Sequence, residues 1–197
     1  MTDPQLSAFI RTNPAAQARP RYPRSYQSES TKALSDEEMN ALLRVVKTLA
    51  DSGAVIGKRD YALLLFYFLT GLRRSEVIEL RGNDLEFKEG ALVITYRRKG
   101  GKFTAREVSD PSAYEALKDY LKALRRENVL GSERPLWTRH DRAGKPGVSL
   151  TSRAFIENLK RYATEAGLSH IHLHQTRHAY ARIVAEETGS FVEAQEA

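Results

Sequence analysis

From Lys58 to Thr70 the chain carries Ala62, Leu63, Leu64, Leu65, Phe66, Phe68 and Leu69, a run of helical length that is apolar nearly all round. Such a helix is stable only when other elements cover every side of it, so it belongs at the centre of a globular core. The apolar stretch from Tyr61 to Leu72 is too short to cross a bilayer, and the N-terminus lacks the basic residues and apolar run of a secretory signal. The sequence holds no cysteine, which excludes disulfides, thiolate metal sites and a cysteine nucleophile and fits a reducing interior. These features predict a soluble, cytoplasmic protein with no membrane partner.

Around that helix the pattern predicts a mainly α domain with a small antiparallel β-sheet. Ser35 and Glu38 have capping-box spacing, and Leu34 can staple onto Met39. With the periodic Leu42, Leu43, Val46 and Leu49, they predict a helix from about Asp36 to Ala50. Gly71 suits the end of the central helix, or a place where two backbones approach. A short helix is expected over Arg74 to Leu80. Extended runs follow around Asp84 to Phe87, Ala91 to Tyr96 and Phe103 to Val108, the last two joined by Lys99-Gly100-Gly101-Lys102. Asp110-Pro111 opens a helix to about Glu127, with Tyr114, Leu117, Leu121 and Leu124 on one face. A Gly/Pro-containing loop crosses Thr138 to Val148. Thr151 to Ala166 reads as helix with Phe155, Leu159 and Tyr162 inward and Gly167 as its stop, and two more helical segments follow from about His174 and from Ser190. Residues 1–33 contain Pro4, Pro14, Pro20 and Pro23 among Arg11, Arg19, Arg21 and Arg24, which suits a linker or arm, so the domain proper runs over residues 34–197.

The formal net charge is +6, so the surface should attract polyanions, but basicity alone is weak evidence for a nucleic-acid partner. Placement says more, and three stations hold cations that core-building does not need. In Thr70-Gly71-Leu72-Arg73-Arg74-Ser75-Glu76 an arginine follows the apolar helix directly, where a partly enclosed guanidinium needs anionic or hydrogen-bonding partners. An Arg73 to Glu76 ion pair at helical spacing would also account for it. In Arg97-Arg98-Lys99-Gly100-Gly101-Lys102 the glycines permit a tight turn and the cations have no acidic neighbour within it. Such a finger can reach a DNA phosphate, or be a solvated edge that discourages aggregation. The third station is His170-Ile171-His172-Leu173-His174-Gln175-Thr176-Arg177-His178, where His174 and Arg177 fall on one face near a helix start that favours an anion. A metal is the other reading of those histidines, but Gln175 stands where a His-Glu-x-x-His metalloprotease has its glutamate. No metal or other cofactor is expected.

In order and spacing the three stations resemble the tyrosine recombinases and phage integrases. The family's first box reads Thr-Gly-Leu-Arg-x-Ser-Glu, as Thr70 to Glu76 does; its catalytic lysine lies in a Lys-Gly-x-Lys hairpin, as Lys99 to Lys102 does; its second box is His-x-x-Arg-His, matched by His174, Arg177 and His178. The resemblance covers the chain from about Leu34 to the end. It implies a tyrosine recombinase catalytic-domain fold and site-specific DNA recombination or integration by transesterification, through a 3'-phosphotyrosyl link and a free 5'-hydroxyl. ATP and metal are not implied. Arg73 and Arg177 would be the arginine pair that holds the non-bridging phosphate oxygens. Lys99 would protonate the leaving 5'-oxygen, and His174 would orient or relay a proton. Glu76 would position Arg73, and His178 would be a packed supporting residue. Arg74, Arg97, Arg98, Lys102, Arg139, Arg142 and Lys145 are the expected DNA-binding cations.

The family's nucleophilic tyrosine follows the second box at a distance this sequence does not reach, so the expected domain is C-terminally incomplete and no nucleophile is assigned. Tyr180, Tyr162 and Tyr120 fall at helical core spacings. The 197 residues are therefore expected to bind double-stranded DNA without cleaving it and to be monomeric alone, with tetramers on paired sites expected of a longer protein. A type IB topoisomerase-like enzyme and a non-catalytic DNA-binding remnant or inhibitor are the competing readings.

Overall fold

The computed structural model describes residues 34–88, 90–98, 101–140, 147–168 and 171. Helix α1 spans Asp36–Asp51 and begins as its capping box dictates: Ser35 Oγ accepts from the Glu38 N–H at 3.1 Å, and the Glu38 carboxylate accepts from the Ser35 N–H at 2.8 Å. Met39, Leu42, Val46 and Ala50 form its buried stripe.

The central helix α2 runs Val55–Thr70 and is buried along nearly its whole length. It packs between α1 and the helix α4 at Pro111–Ala123, as its all-round apolar surface requires. It starts three residues before the expected Lys58, because Gly57 sits inside the helix rather than before it. A Cβ at Gly57 would lie 2.6 Å from Ala50 N and from Leu49 C. The backbones of α1 and α2 therefore touch at this position, and hydrogen is the only side chain that fits there.

After α2 come the short helix α3, Arg74–Ile78, and a 3-10 turn, Gly82–Asp84. An antiparallel sheet of β1 (Leu85–Lys88), β2 (Ala91–Arg97) and β3 (Phe103–Val108) follows in that spatial order. Leu85 faces Ile94, and Arg97 faces Phe103 across the β2–β3 ladder. Helix α3 stops two residues short of the expected Leu80, whose carbonyl instead accepts from Leu136 N–H at 2.9 Å. Gly82 is clamped from both sides, its N–H to Arg134 O at 3.1 Å and its carbonyl to Gly131 N–H at 2.9 Å. A Cβ there would fall 1.8 Å from Val129 O. Gly82→Ala is expected to destabilise the fold by about 1–3 kcal/mol, read as a lower thermal midpoint in circular dichroism, whereas Gly90→Ala, with open space around it, should cost only its positive-φ strain.

Helix α4 ends at Ala123, four residues before the expected Glu127. Arg125 takes φ 52°, and the Arg126 N–H closes the turn on Leu121 O at 2.8 Å. What draws the chain away is tertiary: the Arg126 guanidinium donates to Thr138 Oγ1 at 2.9 Å and to Pro135 O at 3.0 Å. The last described helix, α5 (Ser152–Glu165), is capped by Thr151, buries Phe155, Leu159 and Tyr162, packs on α1, and ends before Gly167 at φ 75°. Among the described residues no helix is long and apolar enough to cross a membrane. The helical segments expected from His174 and Ser190, and the arm over residues 1–33, lie outside the described residues.

Candidate functional site: an arginine turn and a cationic hairpin

The end of the central helix is built to present Arg73. Thr70 Oγ1 donates back to Phe66 O at 2.5 Å and accepts from the Leu72 N–H at 3.3 Å, while Gly71 takes the left-handed cap at φ 59°. This terminates α2 and turns the chain outward with Leu72 still buried. Arg73 then precedes the first turn of α3. Its N–H donates to Glu76 Oε2 at 2.6 Å and its Nη1 to Glu76 Oε1 at 3.0 Å. The carboxylate is enclosed, at 5% exposure, while the guanidinium is 42% exposed. The ion pair foreseen as the plainer reading is thus present, and it does not use up the arginine. Glu76 holds one edge of the fork and leaves Nε and Nη2 without a partner among the described residues, the geometry a phosphate-binding arginine needs.

Sequence reasoning missed Arg106. From β3 its Nη1 donates to Thr70 O at 2.7 Å, tying the strand to the carbonyl that precedes Gly71 and Arg73. The only sequence signal was an arginine on the half-buried face of a strand. It links the hairpin mechanically to the arginine turn.

The hairpin between β2 and β3 closes through Arg98 N–H to Lys102 O at 2.8 Å and Gly101 N–H to Arg98 O at 2.9 Å, with Gly101 at φ 88°. Arg97 and Lys102 are exposed and Arg98 is half-buried. Arg97 bends back to Gly101 O at 3.4 Å. A cleft of about 730 Å³ joins this hairpin to the arginine turn, with Glu76, Arg81, Tyr96, Arg97 and Phe103 among its walls. Ser149, next to the loop that carries Arg139, lines it as well. Arg139 itself is half-buried, its N–H bonded to Val148 O at 2.8 Å. Arg74 is half-buried, with its Nε enclosed and unpartnered among the described residues. Lys99, Arg142, Lys145, His174, Arg177 and His178 lie outside the described residues.

A second polar cluster, also unread in the sequence, is structural. Arg59 and Asp60 are 3% and 1% exposed. Arg59 Nε donates to Asp60 Oδ1 at 2.7 Å, and its Nη1 donates to Thr138 O at 3.0 Å. Asp60 Oδ2 accepts from Tyr162 Oη at 2.7 Å and Asn158 Nδ2 at 2.9 Å. Burial first, and then the Asp60 charge, pushes the Tyr162 phenol well above its ordinary value, so it remains a donor. Tyr120, also buried, shares its hydroxyl between Thr138 Oγ1 at 2.9 Å and His140 Nε2 at 3.0 Å. Both tyrosines are core, as their spacing predicts, and Tyr180 lies outside the described residues.

A mainly helical domain with an arginine turn and a basic hairpin meeting in one cleft has the fold of the site-specific tyrosine recombinases. It superimposes on the XerH site-specific recombinase bound to difH substrate in a pre-cleavage complex with a TM-score of 0.67 at 23% identity, over 84% of this chain and 46% of that one. The post-cleavage complex of XerH on palindromic difH gives 0.69 at 24% identity, over 85% and 46%, and XerA recombinase gives 0.64 at 21%, over 83% and 54%. The model of the Phage integrase family matches residues 32–197, and the chain belongs to that family. Tyrosine recombinase XerC of Xanthomonas campestris pv. campestris (strain B100) is 32% identical over 189 residues, 95% of this chain and 52% of that protein. XerC of Alcanivorax borkumensis is 28% identical over 166 residues, 84% of this chain and 50% of that protein. The chain spans about half the length of the curated relatives it matches.

Proposed function

We propose that the chain is the DNA-engaging catalytic domain of a site-specific tyrosine recombinase, acting on double-stranded DNA, with residues 1–33 as an arm ahead of a domain that starts at Leu34. The observation that carries this reading is the arginine turn. Arg73 is held on one edge by a buried Glu76 and keeps its remaining donors without a partner among the described residues, while a cleft runs from Glu76 to the cationic hairpin. A guanidinium so fixed suits the charge that spreads over non-bridging oxygens as phosphorus is attacked, because the donors are already in place and never lose their protons.

In this reading Arg73 and Arg177 hold the two oxygens, Lys99 delivers a proton to the leaving 5'-oxygen, and His174 orients or relays a proton beside them. Glu76 positions Arg73, and His178 supports the second box. Arg74, Arg97, Arg98, Lys102, Arg139, Arg142 and Lys145 contact DNA. The reaction conserves the bond energy of the phosphodiester in a phosphotyrosyl ester, so it calls for no nucleotide cofactor. The setting is cytoplasmic, and the chain alone is a monomer that assembles as a tetramer on paired sites only in a longer protein.

In this reading no tyrosine of these 197 residues is assigned as nucleophile; Tyr120 and Tyr162 are buried and bonded, and Tyr180 lies outside the described residues. The chain should therefore shift a duplex in a gel without forming a denaturant-stable adduct on a nicked duplex that traps cleavage. A covalent adduct at a tyrosine of this chain would overturn the assignment, and failure to retain duplex DNA at low salt would overturn the DNA reading itself.

A further inference from the structure

Two large aromatic side chains stand in solvent, and they differ in what surrounds them. Phe87, 53% exposed, lies flat on Tyr114 with ring centroids 4.8 Å apart, so its exposure is the outer side of a packed pair. Phe103 is 66% exposed and has no ring partner among the described residues. Leaving a phenyl ring in water forgoes burial worth about 1.5–3 kcal/mol. A single exposed ring is common on protein surfaces, so the weight falls on its setting, beside a charged turn and in the wall of a cleft.

The register says what lies beside that ring. Phe103 is directly opposite Arg97, so the two side chains share a face of the sheet, with Thr95 and Ala105 as the next pair along it. The preceding residue is the exposed Lys102, and Arg98 closes the turn. Further from the hairpin the same face carries the pair Val93 and Glu107. Positive charge and the lone aromatic thus gather at the hairpin end. Phe103 also lines the cleft that reaches Glu76, the residue that holds Arg73. That cleft contains Glu79, Asp84 and Glu133 too, so charge by itself seats a phosphate chain there poorly.

We infer that Phe103 is a DNA-contacting residue whose ring packs on a sugar or base edge of the duplex strand that Arg97 and Lys102 draw in, so that the hairpin grips DNA by apolar contact as well as by charge. The inference rests on duplex DNA being the partner, as proposed above. An aromatic ring and a cation side by side serve the two parts of a nucleotide, the cation the phosphate and the ring the apolar face of the sugar or an unstacked base.

The two contributions separate by salt. Neutralising phosphates releases counterions, and affinity then falls with salt at a slope set by the number of cations engaged. An apolar contact adds affinity at every salt concentration and leaves that slope alone. The test is fluorescence anisotropy of the full 197-residue chain with a labelled mixed-sequence duplex across a salt series. Phe103→Ala is expected to weaken binding about five- to tenfold throughout with an unchanged slope, Phe103→Trp to bind as the unaltered chain does, and Arg97→Ala to lower the slope by about 0.9. Both positions are exposed, and circular dichroism checks that each variant is folded. An unaltered chain that binds while Phe103→Ala matches it removes this inference and leaves the DNA reading standing. A change of slope in Phe103→Ala equal to that of Arg97→Ala also removes it. An unaltered chain that binds no duplex removes the DNA reading and this inference together.

Discussion

Asp60→Ala is expected to cost about 3–5 kcal/mol of folding stability. The carboxylate neutralises Arg59, which is 3% exposed, and accepts hydrogen bonds from Tyr162 and Asn158. Removing it strands a guanidinium in the core and two donors with no acceptor, the situation in which breaking a buried pair costs far more than the pair is worth. For a domain of this size the thermal midpoint should drop by about 10 °C. A control separates the pair from its loss: Arg59→Met combined with Asp60→Leu removes both charges and should recover much of the stability. Circular dichroism melts of the three proteins decide it, and an Asp60→Ala variant within about 1 kcal/mol of the unaltered chain would mean that the network is not holding α2 to α5.

The second large effect is chemical. In a protein that joins these residues to a tyrosine nucleophile, Arg73→Ala should slow strand cleavage by about 10²–10³-fold, the usual cost of one preorganised donor to a developing oxyanion. Duplex affinity should fall much less, because Arg73 is one of several cations proposed to contact the duplex, the exposed Arg97 and Lys102 among them. Arg73→Lys keeps the charge but loses the fork, and should recover little. The measurement is single-turnover cleavage of a trapping duplex beside an affinity measurement on the same proteins. Equal losses in both would make Arg73 an ordinary phosphate contact.

Much of this was legible in the chain. The Ser35 and Glu38 cap, the all-round apolar α2, the β2–β3 hairpin and the Gly167 stop are local signals, each settled by residues within a few positions of one another. The misreadings arose where a distant contact overrode the local pattern. The start of α2 was set at Lys58, three residues late, and Gly57 inside it is a helix crossing whose neighbours Leu49 and Ala50 lie on another element. The end of α4 was read too late because Arg126 is drawn to Thr138 and Pro135. Arg59 and Asp60 gave no sign of a buried network because Asn158 and Tyr162 stand 98 and 102 residues from Asp60.

The candidate site divides the same way. Arg73 and Glu76 are three apart, and a sequence pattern exposes such a pair. Arg106 escaped notice because its bond to Thr70 joins residues 36 apart, from a strand to a helix end. Phe103 escaped because an aromatic in a strand reads as a core residue until the register shows it opposite Arg97 on the open face.

The central claim is that the arginine turn holds a DNA phosphate. The most direct measurement of it is the salt dependence of duplex binding by the unaltered chain and by Arg73→Ala, read as the slope of log affinity against log salt. A steep negative slope for the unaltered chain, made shallower by about 0.9 in Arg73→Ala, is the predicted result. Equal slopes for the two proteins would contradict the claim, since Arg73 would then be spent on Glu76 and touch no phosphate.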